Sequence, residues 1–208
     1  FSEKYFSFSN YSYAANNPVL MIDINGDSIR LSDIYQKNDV LMKTHTEWMK
    51  SDAGKKFYSL FGEGGKFENV AVVFDVASID DVELKGGSGA AAVAGLELIT
   101  GDKKQAANGK WYEDTPVSKE VQNAANGESN DYLKFTISIA NRPYGTDRIV
   151  DLGELLSHES QHPIIEISSI AKRGIMPSIY SQHKEMAKQG GQYFNDRYNS
   201  YWQFGQYW

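Results

Sequence analysis

The sequence predicts an α+β domain in which a small antiparallel or mixed sheet is accompanied by an N-terminal and a C-terminal helix pair. Two patterns indicate this: apolar residues recur with helical spacing near both ends of the chain, and short β-branched or alternating segments lie between them. The 208 residues, 41% of them apolar and 13% aromatic, are enough to bury one core. We therefore expect one domain with a short appendage.

The first helical pattern covers residues 39–61. Its apolar positions are Val40, Leu41, Trp48, Met49, Phe57, Leu60 and Phe61. The polar segment 51–54, which ends in glycine, is expected to divide the pattern into two helices, and residues 62–65 close it. His45 lies between Lys43 and Glu47, and we expect it to be exposed to solvent.

The middle of the chain carries the strand signals. Residues 70–77 form a compact β-branched run, and residues 132–139 alternate polar and apolar side chains. Shorter strands are expected at 82–85, 96–100 and 111–113. Residues 115–130 are rich in Asn, Ser and Gly, which favours a loop with at most a short helix.

A helix is expected after residues 143–145, with Thr146 or Asp147 as its cap. Its apolar side is formed by Ile149, Leu152, Leu155 and Leu156. Pro163 is expected to end or kink this helix. A further helix is expected at 178–197, followed by an aromatic tail whose default role is packing in the core.

The most informative motif is His158-Glu159-Ser160-Gln161-His162. Two histidines four residues apart lie on one side of a helix, so both imidazoles can reach one metal ion. The glutamate between them then lies beside the metal, where it can accept a proton from water that the metal activates. The spacing therefore predicts a zinc site with Glu159 as general base.

A hydrolytic zinc site takes three protein ligands and leaves one position open. The chain has no cysteine, so the third ligand must be a histidine or a carboxylate. His183 is the first choice, because three of the four histidines would then converge. The alternatives are Glu185, Asp196 and Glu166, the last of which would lie about 12 Å along a continuous helix from His158.

The charge balance disfavours some function classes. The net charge of −6 offers no general attraction for nucleic acid or anionic lipid, which disfavours a nuclease. No apolar run approaches the length of about 20 residues that spans a bilayer. The absence of cysteine excludes disulfides and thiolate metal sites.

The first 28 residues carry the pattern Y-x-Y-x-x-N-N-P-x-x-x-x-D-x-x-G, whose matching positions are Tyr11, Tyr13, Asn16, Asn17, Pro18, Asp23 and Gly26. This pattern resembles the segment that closes RHS/YD-repeat core regions, after which a variable C-terminal toxin begins. The resemblance implies a tail segment at 1–28 and a toxin domain at 29–208. It also implies secretion, or delivery into a target cell, as part of a larger exported protein. The start at Phe1, without an initiator methionine or a signal-like segment, agrees with a piece of a longer chain.

The strand at 132–139, the helix with the two histidines and a second helix carrying a ligand resemble a zincin-type metallopeptidase. Residues 47–57 are also similar to zincin toxin domains attached to RHS shells. The resemblance implies a zincin-like fold, Zn²⁺ on His158 and His162, and Glu159 as general base. The chain departs from the metzincin pattern, because Ile165 and Ser168 stand where glycine and a third histidine would be.

These features together predict a zinc-dependent peptidase that acts on a protein or peptide. Tyr180, Tyr193 and Arg173 are candidates for stabilising the oxyanion, and the edge of strand 132–139 is a candidate for holding an extended substrate. A cognate immunity protein is the expected partner. The alternatives are a non-catalytic module that binds a partner through the aromatic C-terminus and, less favoured, a metal-dependent nuclease.

Overall fold

A computed structural model of the chain describes residues 28–86, 90–101, 103–107, 110–141 and 149–188. Its helices are α1 (Asp33–Gln36), α2 (Asp39–Lys50), α3 (Asp52–Phe61), α4 (Ile79–Gly86), α5 (Lys119–Ala125), α6 (Ile149–Glu159), α7 (Gln161–Arg173) and α8 (Ile179–Lys188). Its strands are β1 (Ile29–Leu31), β2 (Val70–Ala77), β3 (Ala92–Thr100), β4 (Lys103–Ala106), β5 (Thr115–Pro116), β6 (Tyr132–Ala140) and β7 (Ile175–Met176). The described residues form an α+β fold with a mixed sheet, in agreement with the coarse prediction.

The main sheet has the strand order β1-β2-β6-β3-β4. β1, β2 and β6 run parallel, β3 pairs antiparallel with β6, and β4 pairs antiparallel with β3. Because side chains alternate along a strand, every second residue of β2 and β6 points into the same core. The registered pairs there are Val70 with Leu133, Val72 with Phe135 and Phe74 with Ile137, all fully buried.

The predicted N-terminal helix pair is confirmed as α2 and α3. Ser51 ends the first helix and caps the second, because its Oγ donates to the Trp48 carbonyl and accepts from the Gly54 amide. A Cβ at Gly54 would lie 2.0 Å from the Trp48 carbonyl oxygen, so only glycine fits this turn. α2 packs against α6, and α3 against β2.

His45 is 1% exposed, so the prediction that it faces solvent was wrong. Its ring lies in an aromatic cluster, where Tyr35 Oη is 3.0 Å from Nδ1 and Tyr58 Oη is 2.9 Å from Nε2. Phe74 and Trp48 contact the ring edge-on. The two hydroxyls satisfy both ring nitrogens, which makes burial of this imidazole tolerable. Burial lowers the pKa of His45 to about 4, so the ring is neutral at pH 7.

We expect His45→Gln to reduce the loss of stability in acid. The pKa of His45 is about 4 in the folded protein and near 6.5 in the unfolded chain, so the unfolded chain takes up the proton first as the pH falls. The stability that neutral His45 provides is therefore complete above pH 6.5 and is lost toward pH 4, by up to about 3 kcal/mol. Urea unfolding between about pH 7 and about pH 4.5 should show the wild type losing stability relative to the variant. Parallel pH curves for the two proteins would contradict this role.

Two short segments differ from the predicted strands. Residues 82–85 belong to helix α4, because the Ser78 hydroxyl accepts from the Asp81 amide and donates to the Asp81 carboxylate, which starts a helix. Residues 111–113 form an exposed loop rather than a strand. Residues 115–130 contain the short helix α5, capped by Ser118, as the composition allowed.

Several predicted features lie outside the described residues. These are the tail segment up to residue 27, the helix cap at Thr146 or Asp147, and everything from residue 189 onward, including the aromatic tail. Among the helices of the described part, none is long and apolar enough to cross a membrane.

Candidate metal centre

The two histidines of the motif lie on either side of an interruption between α6 and α7. α6 ends at Glu159, and α7 begins at Gln161. Pro163 accounts for the interruption, because it cannot donate to the carbonyl four residues earlier, that of Glu159, and its ring crowds that carbonyl. The interruption therefore lies before the second histidine rather than directly after it, and the chain continues as helix to Arg173.

The interruption does not separate the two rings. Ser160 keeps right-handed helical angles, with φ −68° and ψ −18°, and its amide donates to the Leu156 carbonyl at 3.0 Å. The imidazole centroids of His158 and His162 are consequently 5.1 Å apart. The i, i+4 stacking that the spacing predicted is present.

α6 is held against the N-terminal helices beside the motif. The indole nitrogen of Trp48 donates to Ser157 Oγ at 3.1 Å, and that hydroxyl donates to the Gly153 carbonyl. Leu152 and Leu156, on the predicted apolar side, are fully buried. These contacts orient the last turn of α6, which carries His158.

The loop at 110–114 holds the start of α8. The amides of Ile179 and Tyr180 donate to the carbonyls of Lys110 and Trp111, each at 3.0 Å. The Ser178 amide donates to Asp114 Oδ1 at 2.8 Å, and the Ser178 hydroxyl accepts from the Ser181 amide. The bonds that Asp114 accepts, first from the Ser178 amide and then from the Ser181 and Ser178 hydroxyls, lower its pKa because they favour the charged carboxylate. α8 is thereby fixed where His183 reaches the motif.

The side chains of His158, His162 and His183 form a compact group. One ring nitrogen of each lies within 4.8 Å of those of the other two, and His183 is 5.3 Å from each of the other rings by centroid. Among the described residues, this is the group of histidines and carboxylates that can hold a metal ion. A tetrahedral zinc ion with Zn–N distances of about 2.0–2.1 Å places its nitrogens about 3.3 Å apart, so no pair of nitrogens here has to approach by more than about 1.5 Å.

The three imidazoles are neutral at pH 7. Burial, with smaller contributions from the neighbouring histidines, lowers the pKa of His162 to about 3 and that of His158 to about 4. Burial also lowers the pKa of His183, although this ring is the most exposed of the three. Only a neutral imidazole has a lone pair to donate to a metal, so the group is in the protonation state that binds one.

Glu159 is 6% exposed, and burial raises its pKa to about 7. A carboxyl in this environment exchanges a proton near neutral pH, which is what a general base requires. A cation at the histidines would favour the charged carboxylate. The environment of Glu159 therefore suits the role that the motif predicts.

Gln182 links α8 to α7 behind the histidines. His162 Nδ1 is 2.5 Å from Gln182 Oε1, and Gln182 Nε2 donates to Glu166 Oε1 at 2.8 Å and to the Pro177 carbonyl at 3.0 Å. Gln182 is fully buried, and burial raises the pKa of Glu166 to about 8. Gln182 is not among the site residues predicted from the sequence. A ligating histidine usually bonds a partner through its second ring nitrogen. A polar residue next to the proposed third ligand, as Gln182 is, was therefore a candidate for that partner.

The structure separates the candidates for the third ligand. His183 joins the two motif histidines, whereas Glu166 lies behind them against Gln182. Glu185 is not part of the group, because two residues after His183 a helix faces nearly the opposite side. Asp196 lies outside the described residues.

The oxyanion candidates are separated as well. Arg173 lies about 16 Å along α7 from His162 and its guanidinium donates to Ser169. Tyr180 is 57% exposed and stands three residues before His183, on the same side of α8. Tyr193 lies outside the described residues.

Strand β6 cannot hold an extended substrate by strand addition. β2 and β3 pair with its two sides, so its backbone is already bonded. The prediction of a free edge at residues 132–139 was wrong, because the alternating pattern that suggests a half-buried strand does not reveal its neighbours.

Comparisons with protein-family models, curated proteins and solved structures returned no significant match to the chain. The chemistry of the site's own residues therefore carries the functional inference.

Proposed function

We propose that this domain is a zinc-dependent peptidase with a zincin-like arrangement, in which His158, His162 and His183 hold the ion and Glu159 is the general base. The observation that carries the proposal is the convergence of three neutral imidazoles on one point, with a buried glutamate between two of them in sequence.

The composition of the group favours a catalytic site over a structural one. Structural zinc sites are usually closed by four protein ligands, whereas hydrolytic sites use three and leave a position for water or substrate. Within the described residues the group has three members, and His183 is exposed while His158 is half-buried. Solvent and substrate therefore have access on the side of α8.

The proposed reaction is hydrolysis of an amide bond. A zinc ion held by the three histidines would act as a Lewis acid, which polarises a carbonyl and makes water easier to deprotonate. Glu159 accepts the proton as the water oxygen bonds to the carbonyl carbon, then passes it to the nitrogen as the C–N bond breaks. Tyr180 is the described candidate for donating a hydrogen bond to the developing oxyanion.

The test of this function uses the purified chain loaded with Zn²⁺ and a mixture of unfolded polypeptides. We expect about one zinc per chain, new peptide termini by mass spectrometry, loss of cleavage on chelation and recovery on zinc addition. Bound zinc without cleavage would favour a non-catalytic binding module. Cleavage of DNA or RNA instead of polypeptide would favour the nuclease.

We also propose that the peptidase is the C-terminal toxin of an exported RHS-type protein. The support is the sequence pattern in residues 1–28 together with the hydrolytic site. A producing cell would then need an immunity protein that covers the surface at the histidine group. Harmless expression in every cell compartment, with no neighbouring gene product that binds the domain, would contradict this context.

A further inference from the structure

The groups around Gln182 determine which way its side-chain amide points. The Pro177 carbonyl has no proton and can only accept, so the group 3.0 Å from it must be the amide nitrogen. The same nitrogen donates its second proton to Glu166 Oε1 at 2.8 Å. The amide oxygen therefore faces His162.

The proton on the His162 ring follows from this orientation. An amide oxygen can only accept, so the His162 Nδ1 that lies 2.5 Å from it must carry a proton. An imidazole that binds a metal carries one proton, on the ring nitrogen that does not bind the ion. The lone pair is consequently on Nε2.

We propose that Gln182 is a positioning residue that fixes His162 in the Nδ1–H tautomer, so that Nε2 is the atom presented to the metal, and that Glu166 and the Pro177 carbonyl hold Gln182 in place. The proposal rests on His162 being a ligand in the proposed function. It gives a role to Glu166, a buried carboxyl that the hydrolytic reaction does not use. Partners of this kind orient the ring and set its tautomer at metal sites.

The position of Gln182 also connects two parts of the site. Gln182 and His183 are consecutive on α8, so one short helix supplies both the third histidine and the hydrogen bond to the second. The bond to His162 and the bond to Glu166 both join α8 to α7. α7 and α8, two of the three helices that carry the proposed ligands, are thus held in register before any metal binds.

The first measurement is the tautomer of His162 in the metal-free protein, by long-range ¹H–¹⁵N NMR of labelled histidine. We expect a protonated Nδ1 and an unprotonated Nε2 in the wild type. In Gln182→Leu, which has a similar size and no acceptor, we expect the Nε2–H form to appear. Zn²⁺ and Co²⁺ affinity should fall about 10–100-fold in that variant.

Two further variants separate positioning from general damage to the fold. In the double variant Glu166→Gln/Gln182→Glu the acidic and amide side chains are exchanged. One oxygen of residue 182 can still accept from His162, and the other, protonated in this buried site, can donate to the Pro177 carbonyl. We expect it to restore the Nδ1–H tautomer and bring metal affinity to within about threefold of the wild type, far less than the 10–100-fold loss. The matched control is Gln122→Leu, because Gln122 bonds the Ala171 carbonyl at the far end of α7. It should change neither quantity.

An Nε2–H tautomer in the wild type would overturn the proposal, and so would unchanged tautomer and affinity in Gln182→Leu. Both results are obtained without measuring hydrolysis. A wild type that shows the expected tautomer and binds metal but cleaves nothing would contradict the peptidase and leave the role of Gln182 supported.

Discussion

Replacing His158, His162 or His183 by alanine is expected to remove bound zinc, from about one ion per chain to close to zero at micromolar protein. Each variant leaves two imidazoles, too few to complete a site of three protein ligands. The expected loss of affinity is more than about a hundredfold, because it should exceed the 10–100-fold loss that follows when a ligand loses its hydrogen-bond partner. Metal analysis after gel filtration measures the bound zinc, and competition with a chromophoric chelator measures the affinity.

Two variants serve as controls for this result. Glu185→Gln removes the alternative third ligand on the same helix and should keep the zinc, since Glu185 is not part of the histidine group. His45→Gln removes the fourth histidine, which is buried among aromatic rings, and should also keep it. Stoichiometric zinc in any one of the three alanine variants would refute the site as described. Loss of zinc in Glu185→Gln would mean that the carboxylate, rather than His183, completes it.

Glu159→Gln is expected to keep bound zinc and to lose hydrolysis by about 10²–10⁴-fold, the contribution that general acid–base catalysis typically makes. The amide has nearly the shape of the carboxyl but cannot accept the proton of the attacking water. Because burial raises the pKa of Glu159 to about 7, its uncharged form is already well populated near neutral pH in the metal-free protein, and an uncharged amide there should cost little stability. Initial cleavage rates at saturating zinc test the loss of hydrolysis, and the metal content of the same sample tests the retention of zinc.

Glu154→Gln, on the same helix, is the matched control and should leave the rate within about threefold, well short of a lost general base. A fully active Glu159→Gln protein would show that the chemistry does not use this base. A variant that loses both metal and activity would show instead that Glu159 supports the ion.

Local sequence determined much of the secondary structure. The helices at 39–61 and after residue 178, and the strands at 70–77 and 132–140, follow from apolar periodicity and from capping serines. The same local reasoning could have found α4, because Ser78 and Asp81 have the spacing of a capping box. The interruption before His162 is also local, since proline acts on the carbonyl four residues earlier.

Local sequence could not determine which elements lie side by side. Residues 132–139 predict a strand, but pairing with β2 on one side and β3 on the other depends on chain segments up to about 60 residues away. The same limit explains His45, whose polar neighbours in sequence indicate exposure. Its neighbours in space, Tyr35, Tyr58 and Phe74, bury it.

The candidate metal centre depends on both local sequence and tertiary packing. The sequence by itself determined that His158 and His162 share one helical side with Glu159 beside them, because a helix repeat of about 3.6 residues is a local property. Only the tertiary structure decided that His183 joins them and that Gln182, its neighbour, bonds His162. That choice depends on how α8 packs against α7, which is set by long-range contacts with the loop at 110–114.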